Sequence, residues 1–167
     1  LMKRANFYLF SVAVESGVQQ TIDKIDKKLD LKKVPENLKK LENHGFRLML
    51  YFMMGFPWET EDDMEITTKF ASSLPGHHVN FFAVTPLPGS QLYKEWQNTP
   101  DFQNYLQVNY DNPLPESRNP DKNKLLRKMI RKAYLKFYLN PGRLINTLRL
   151  LHKQKSLFND FSFAVKN

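Results

Sequence analysis

The sequence contains no cysteine, which excludes disulfides, thiolate zinc sites, a cysteine nucleophile and any iron–sulfur cluster held by cysteines of this chain. It also lacks an apolar run approaching the ~20 residues that span a bilayer. Its N-terminus has none of the charged, apolar and small-residue succession of a signal peptide, so the chain reads as cytoplasmic. Phosphate-binding and hydrolase loops are missing too, since no Gly-x4-Gly-Lys-Ser/Thr, Gly-x-Gly-x2-Gly or Gly-x-Ser-x-Gly occurs. His77 and His78 are adjacent, which on a strand aims them at opposite faces, and no carboxylate stands at zinc-site spacing. No metal site is expected. Acidic residues are absent from one long stretch: from Lys122 to Lys155 there are eleven Lys and Arg side chains and no Asp or Glu among them.

What is present suits one folded domain. The 167 residues are 41% hydrophobic and 13% aromatic, enough for a real core. The formal charge of +8 belongs to the C-terminal part, whereas residues 59–65 are acidic. Three short apolar runs, at residues 7–14 (FYLFSVAV), 46–54 (FRLMLYFMM) and 79–84 (VNFFAV), alternate with longer periodic segments, the pattern of βα units around a parallel sheet. All three runs are apolar at both alternating positions, so both faces of the strands are expected to be covered. Between the first two, Leu31, Val34, Leu38 and Leu41 recur at helical spacing, with Pro35 in the first turn and Gly45 past the end. Between the second and third, Thr60 stands at an N-cap position with Asp63 three residues on, and Met64, Thr67, Thr68 and Ala71 form an inner face. Pro75 and Gly76 close that helix. Residues 98–123 are polar and proline-containing, a connector. Beyond it Leu125, Leu126, Met129, Ile130, Ala133, Tyr134, Phe137 and Tyr138 make one broad apolar helical face, broken by Asn140, Pro141 and Gly142. A further helix through Leu144, Ile145, Leu148 and Leu151 is expected.

Parallel sheets bind ligands where their strands end and loops begin. The residues there are Glu15, Ser16 and Gly17, then Gly55 to Thr60, then Thr85 to Ser90. Each loop has an ordinary explanation as a turn or a helix start. Together they place small and polar groups at three consecutive strand ends, and a glycine at the second lets a flat ligand approach the backbone.

The order VESG, then HGF before an apolar strand, then MGFPWETEDD, then TPLPGS resembles the second half of the radical S-adenosylmethionine core. The resemblance implies an α/β fold, half of a partial (β/α)6 TIM-type barrel contributing its fourth to sixth strands, over residues 1–97. A C-terminal helical extension at residues 124–167 comes after the connector. AYLKFYLNPGRL, at residues 133–144, resembles the segment after the barrel in the cobalamin-binding-domain branch, which includes magnesium-protoporphyrin monomethyl ester cyclases. The resemblance further implies S-adenosylmethionine as cofactor: Glu15 and Ser16 would contact its ribose. Met53, Met54, Gly55, Pro57 and Glu59 would line the adenine approach, and Val84, Thr85 and Pro86 would meet adenine through the sixth strand. Trp58 departs from the family's usual second glycine. A side chain at Gly55 is expected to fill the adenine slot rather than strain the turn.

The family holds a [4Fe–4S] cluster in a Cys-x3-Cys-x2-Cys loop after the first strand, and some members bind cobalamin. Both would have their sites outside this chain, which reads as a fragment of a larger enzyme and as inactive alone. Reductive cleavage of the cofactor would give a 5′-deoxyadenosyl radical that abstracts hydrogen from a small-molecule substrate. No catalytic residue is assigned here. The implied partner is the N-terminal half of the same barrel. A competing reading takes Arg127, Lys128, Arg131, Lys132 and Lys136 as a basic face for RNA or an anionic membrane surface. Solvated lysines behind an apolar stripe are the favoured explanation.

Overall fold

The computed structural model describes residues 2–85, 87–97 and 120–145. A 3-10 turn (Met2–Ala5) leads into three strands, β1 (Leu9–Glu15), β2 (Arg47–Met54) and β3 (His78–Ala83). Helices α1 (Gln19–Lys24), α2 (Val34–Asn43), α3 (Glu61–Ser73), α4 (Gln91–Trp96) and α5 (Pro120–Tyr138) intervene or come after. The sheet is parallel throughout, in the order β1-β2-β3, so the fold is α/β and the three apolar runs are three successive parallel strands.

Local chemistry accounts for the helices. Pro35 stands in the first turn of α2, and Gly45 takes φ +75° just past its end. Thr60 caps α3 in a full capping box: Asp63 N–H donates to Thr60 Oγ1 at 3.2 Å, and Thr60 N–H donates to Asp63 Oδ2 at 2.9 Å. Two short helices carried weaker signals. Val18 gives α1 no side-chain cap, while Ser90 caps α4 by accepting from Tyr93 N–H at 3.1 Å. Helix α5 begins at Pro120, inside the stretch expected as connector, because a proline suits a first turn that needs no N–H donor.

Alternation along β2 decides which face is covered. Leu48, Leu50, Phe52 and Met54 are wholly buried and meet Val14, Val79 and Phe81 on the neighbouring strands. Above them lie Ile22 of α1, Val34 and Leu38 of α2, Met64 and Ala71 of α3, and Met129, Ala133 and Phe137 of α5. The expectation that both faces are covered is overturned. On the opposite side Met49, Tyr51 and Met53 are half-buried, Ser11 and Ala13 are exposed, and Phe82 is 43% exposed. Helices α1, α2, α3 and α5 all contribute to one face. The rings of Tyr51 and Phe82 stack at 5.9 Å on the open one.

Helix α5 belongs to the core. Tyr134 Oη accepts from Phe81 N–H at 3.1 Å, which covers one donor of the edge strand β3. Its basic side meets the acidic side of α3: Lys132 and Lys136 reach Glu65 at 2.7 and 3.3 Å, and Lys128 reaches Glu61 at 3.6 Å. Arg127 and Arg131 are exposed. The chain divides into a unit from Leu1 to Phe137 and a second from Tyr138 to Asn167. In the second, Asn140 stands just before a short helical stretch at residues 141–145, whose Leu144 N–H donates to the Asn140 carbonyl at 3.0 Å. The further helix expected through Leu148 and Leu151 lies outside the described residues, as do most of the connector and Pro86.

Candidate functional site

At the C-terminal end of β1 the ladder breaks. Pairing with β2 shifts between Ala13 and Glu15, leaving Val14 as a bulge. Glu15 is next, at φ +73°, and Ser16 N–H donates back to the Val14 carbonyl at 3.1 Å. That bond across a positive-φ residue is the pattern of a γ-turn, a strained conformation for a residue with a side chain. The Glu15 carboxylate takes one ion pair, Oε1 with Lys27 Nζ at 3.0 Å, and among the described residues Oε2 has no partner. Ser16, by contrast, is wholly buried. Its hydroxyl accepts from Val18 N–H at 3.1 Å and shares a 3.2 Å bond with Thr67. Gly17 N–H donates to Thr67 Oγ1 at 3.0 Å, and a Cβ on Gly17 would come within 2.7 Å of Thr67 Cα. Only glycine lets this loop lie so close on α3.

The end of β2 is organised from inside. Gly55 takes φ +89°, and the Gly55 and Phe56 N–H groups both donate to Glu59 Oε2, at 2.7 and 3.2 Å. Glu59 Oε1 is buried with no hydrogen-bond partner among the described residues. Burial pushes the Glu59 carboxyl up to about 7, against the two backbone donors that favour its charged form and with some help from nearby Asp63. A Cβ on Gly55 would lie 3.0 Å from Leu126 Cδ2 of α5. The expectation of an unstrained turn is therefore corrected: positive φ and the Leu126 contact both oppose a side chain there.

Trp58 ties the two strand ends together. Its ring stacks on Phe56 at 5.2 Å, carries Lys24 Nζ over it at 4.1 Å, and directs Nε1–H at Thr21 Oγ1 at 3.4 Å. At the third strand end Val84 is buried and its N–H donates to the Met54 carbonyl at 2.9 Å. Thr85 is half-buried, with Oγ1–H directed at the Ala83 carbonyl at 3.4 Å. Of the remaining candidates, Met53 stands on the open face, Met54 is wholly buried in the helix-side core, and Pro57 is exposed. Glu15, Gly55, Glu59 and Thr85 thus gather at one end of the sheet, with the Ser16, Met54 and Val84 side chains buried behind them. Sequence reasoning missed Lys27 and Thr67. Lys27 lies twelve residues after its partner, a spacing that no strand or helix period would single out.

Among the described residues no group of three His, Asp or Glu side chains is placed to hold a metal, and no helix is long and apolar enough to cross a membrane. No family model matches the chain. It is similar to an uncharacterized methyltransferase of Pyrococcus horikoshii, 27% identical over 99% of this chain and 34% of that protein. It is similar also to the anaerobic magnesium-protoporphyrin IX monomethyl ester cyclase of Rubrivivax gelatinosus, 23% identical over 85% of this chain and 25% of the cyclase. A third relative is the cytidylyl-2-hydroxyethylphosphonate methyltransferase of Streptomyces wedmorensis, 28% identical over 57% of this chain and 19% of that enzyme. The chain spans about a third or less of the length of these curated relatives, which by name are two methyltransferases and a cyclase.

Proposed function

We propose that this chain is the C-terminal half of a radical S-adenosylmethionine barrel within a larger enzyme of the methyltransferase or cyclase kind, and that its strand ends hold the nucleoside of the cofactor. The observation that carries the reading is the Glu15 carboxylate. It stands on a strained turn at the end of a parallel strand, with Oε2 free of partners among the described residues. A carboxylate so placed accepts from both hydroxyls of a ribose. The half-buried Met53 and the Gly55 loop lie at the end of the adjacent strand, where an adenine ring would rest.

The residues present do not fit an iron–sulfur cluster, because the chain has no thiolate. In this reading the cluster, and cobalamin if the enzyme uses it, is held by the rest of the polypeptide, and the isolated chain is inactive. The open sheet face would meet the N-terminal half of the barrel and the substrate. S-adenosylmethionine would supply the reactive carbon chemistry; the role of this chain is to bind and orient its nucleoside. The coding region upstream of Leu1 provides the first test. A Cys-x3-Cys-x2-Cys motif there supports the reading, and a start codon without nearby cysteines overturns it. Anaerobic reconstitution of the 167-residue chain with iron and sulfide should yield no stoichiometric cluster.

A further inference from the structure

Helix α1 ends in a turn that returns the chain toward β1. Asp26 takes φ +55°, its N–H donates to the Asp23 carbonyl at 3.0 Å, and Lys27 N–H donates to the Ile22 carbonyl at 3.1 Å. These two bonds around a left-handed residue are the Schellman motif, which fixes the direction in which the chain leaves a helix. The residue it directs is Lys27, whose ammonium meets Glu15 Oε1 at 3.0 Å. Both members of the pair are thus set by non-glycine residues at positive φ, Glu15 itself and Asp26 beside Lys27. Two unfavourable backbone conformations converge on one ion pair.

Fold stability does not account for that convergence. The Lys27 and Glu15 side chains are 30% and 21% exposed, and a single half-buried ion pair that keeps this access to water adds only modestly to folding. Local backbone cost at a strand end is characteristic of sites where a side chain must be aimed. The aim here is asymmetric: Lys27 occupies one carboxylate oxygen and leaves the other open.

We propose that Lys27 is a positioning residue for Glu15, fixing Oε1 so that Oε2 faces the ribose hydroxyls of S-adenosylmethionine. This rests on the ribose reading above and extends it to a residue with no contact to the ligand. The ion pair keeps a flexible carboxylate in one rotamer before the ligand arrives, so that ordering does not have to be completed on binding.

Calorimetric titration of the full-length protein with S-adenosylmethionine, alongside melting curves, tests this. Glu15→Gln should weaken binding about tenfold, and Lys27→Met by a similar factor with affinity counted per folded molecule. Lys27→Arg, which keeps the charge and a donor, should restore affinity to within about threefold. The double variant should bind no more than about twofold worse than Glu15→Gln alone, because Lys27 acts only through Glu15. Should Lys27→Met fail to fold, Lys27→Gln replaces it and should lose about threefold, since its amide still donates to Oε1. Unchanged affinity in Glu15→Gln would overturn the ribose reading itself. Loss in Glu15→Gln with full affinity in the neutral Lys27 variant, or additive losses in the double variant, would overturn the Lys27 assignment alone.

Discussion

At the end of β2 the Glu59 carboxylate turns into its own loop, where Oε2 collects the N–H groups of Gly55 and Phe56 and Oε1 is buried without a partner among the described residues. At the end of β1 the Glu15 carboxylate turns outward, with Oε1 on Lys27 and Oε2 open. Both loops contain a residue at positive φ, yet one is glycine and the other is glutamate. The contrast separates two uses of the same chemical group. Glu59 organises backbone, so its value lies in folding, whereas Glu15 sits in a conformation that folding alone would give to glycine.

The largest effect expected from this contrast is on Glu59. Removing its carboxylate leaves two N–H groups without their acceptor, and hydrogen bonds to a charged group contribute about 1.5–3 kcal/mol each. Because the buried charge also costs free energy, Glu59→Ala should lose about 3 kcal/mol in total. Melting shifts by about 2–4 °C per kcal/mol in a chain of this size, so the loss is easily read. Unchanged melting would show that the Gly55 loop stands without its internal acceptor, and the contrast with Glu15 would collapse.

The same carboxyl should give the protein a distinctive pH response. Its folded value of about 7 lies above its ordinary 4.5, so the folded state holds the proton more tightly than the unfolded state. The stability this contributes is complete below about pH 4.5 and is lost as pH rises through about 7. Partial exposure screens the effect, leaving a change on the order of 1–2 kcal/mol across that window. Glu59→Gln, which cannot titrate, should flatten this component of a melting-temperature profile taken from pH 5 to pH 8. A profile identical to that of the parent would assign the titration to another group.

A smaller effect is expected at Gly55. Alanine there meets positive φ and the Leu126 side chain at 3.0 Å, for a loss of about 1–2 kcal/mol. Combining Gly55→Ala with Leu126→Ala removes the steric part and leaves the conformational part. If the double variant is no more destabilised than Leu126→Ala alone, positive φ at Gly55 carries no cost and the comparison between the loops loses its basis.

The elements that the sequence made legible are those with their own local chemistry. Thr60 and Asp63 announced the start of α3, Pro35 and Gly45 bracketed α2, and three apolar runs became three parallel strands. The covered face was harder to read. Met49, Met53 and Phe82 are as apolar as Leu50 and Phe81, so the sequence pattern alone does not tell which face the helices take. The strand-end residues were visible from position, but their environments were not. The Ser16 hydroxyl turns to Thr67 fifty-one residues away, and Lys27 reaches Glu15 only because Asp26 adopts a left-handed turn. Contacts of that kind depend on packing and on single backbone angles, neither of which leaves a periodic trace in the chain.

The finest test of the contrast compares two variants at Glu15. Both Glu15→Gly and Glu15→Ala remove the carboxylate and its pair with Lys27, so the lost ion pair cancels between them. What differs is the backbone. Alanine retains the Cβ that makes φ +73° unfavourable, whereas glycine occupies such angles freely. Glycine also loses more conformational entropy on folding, which at an ordinary strand position would make it the worse choice by roughly 0.5–1 kcal/mol. At a strained turn the order reverses, and Glu15→Gly should be the more stable of the two by about 1 kcal/mol. Denaturant unfolding of both variants under identical conditions measures the difference with the same slope for each. If alanine proves equal or better, the β1 turn is relaxed with a side chain present, and Glu15 stands there at no conformational cost. If glycine proves better, folding on its own would favour a different residue at this strand end, and the glutamate is there for what its free oxygen binds.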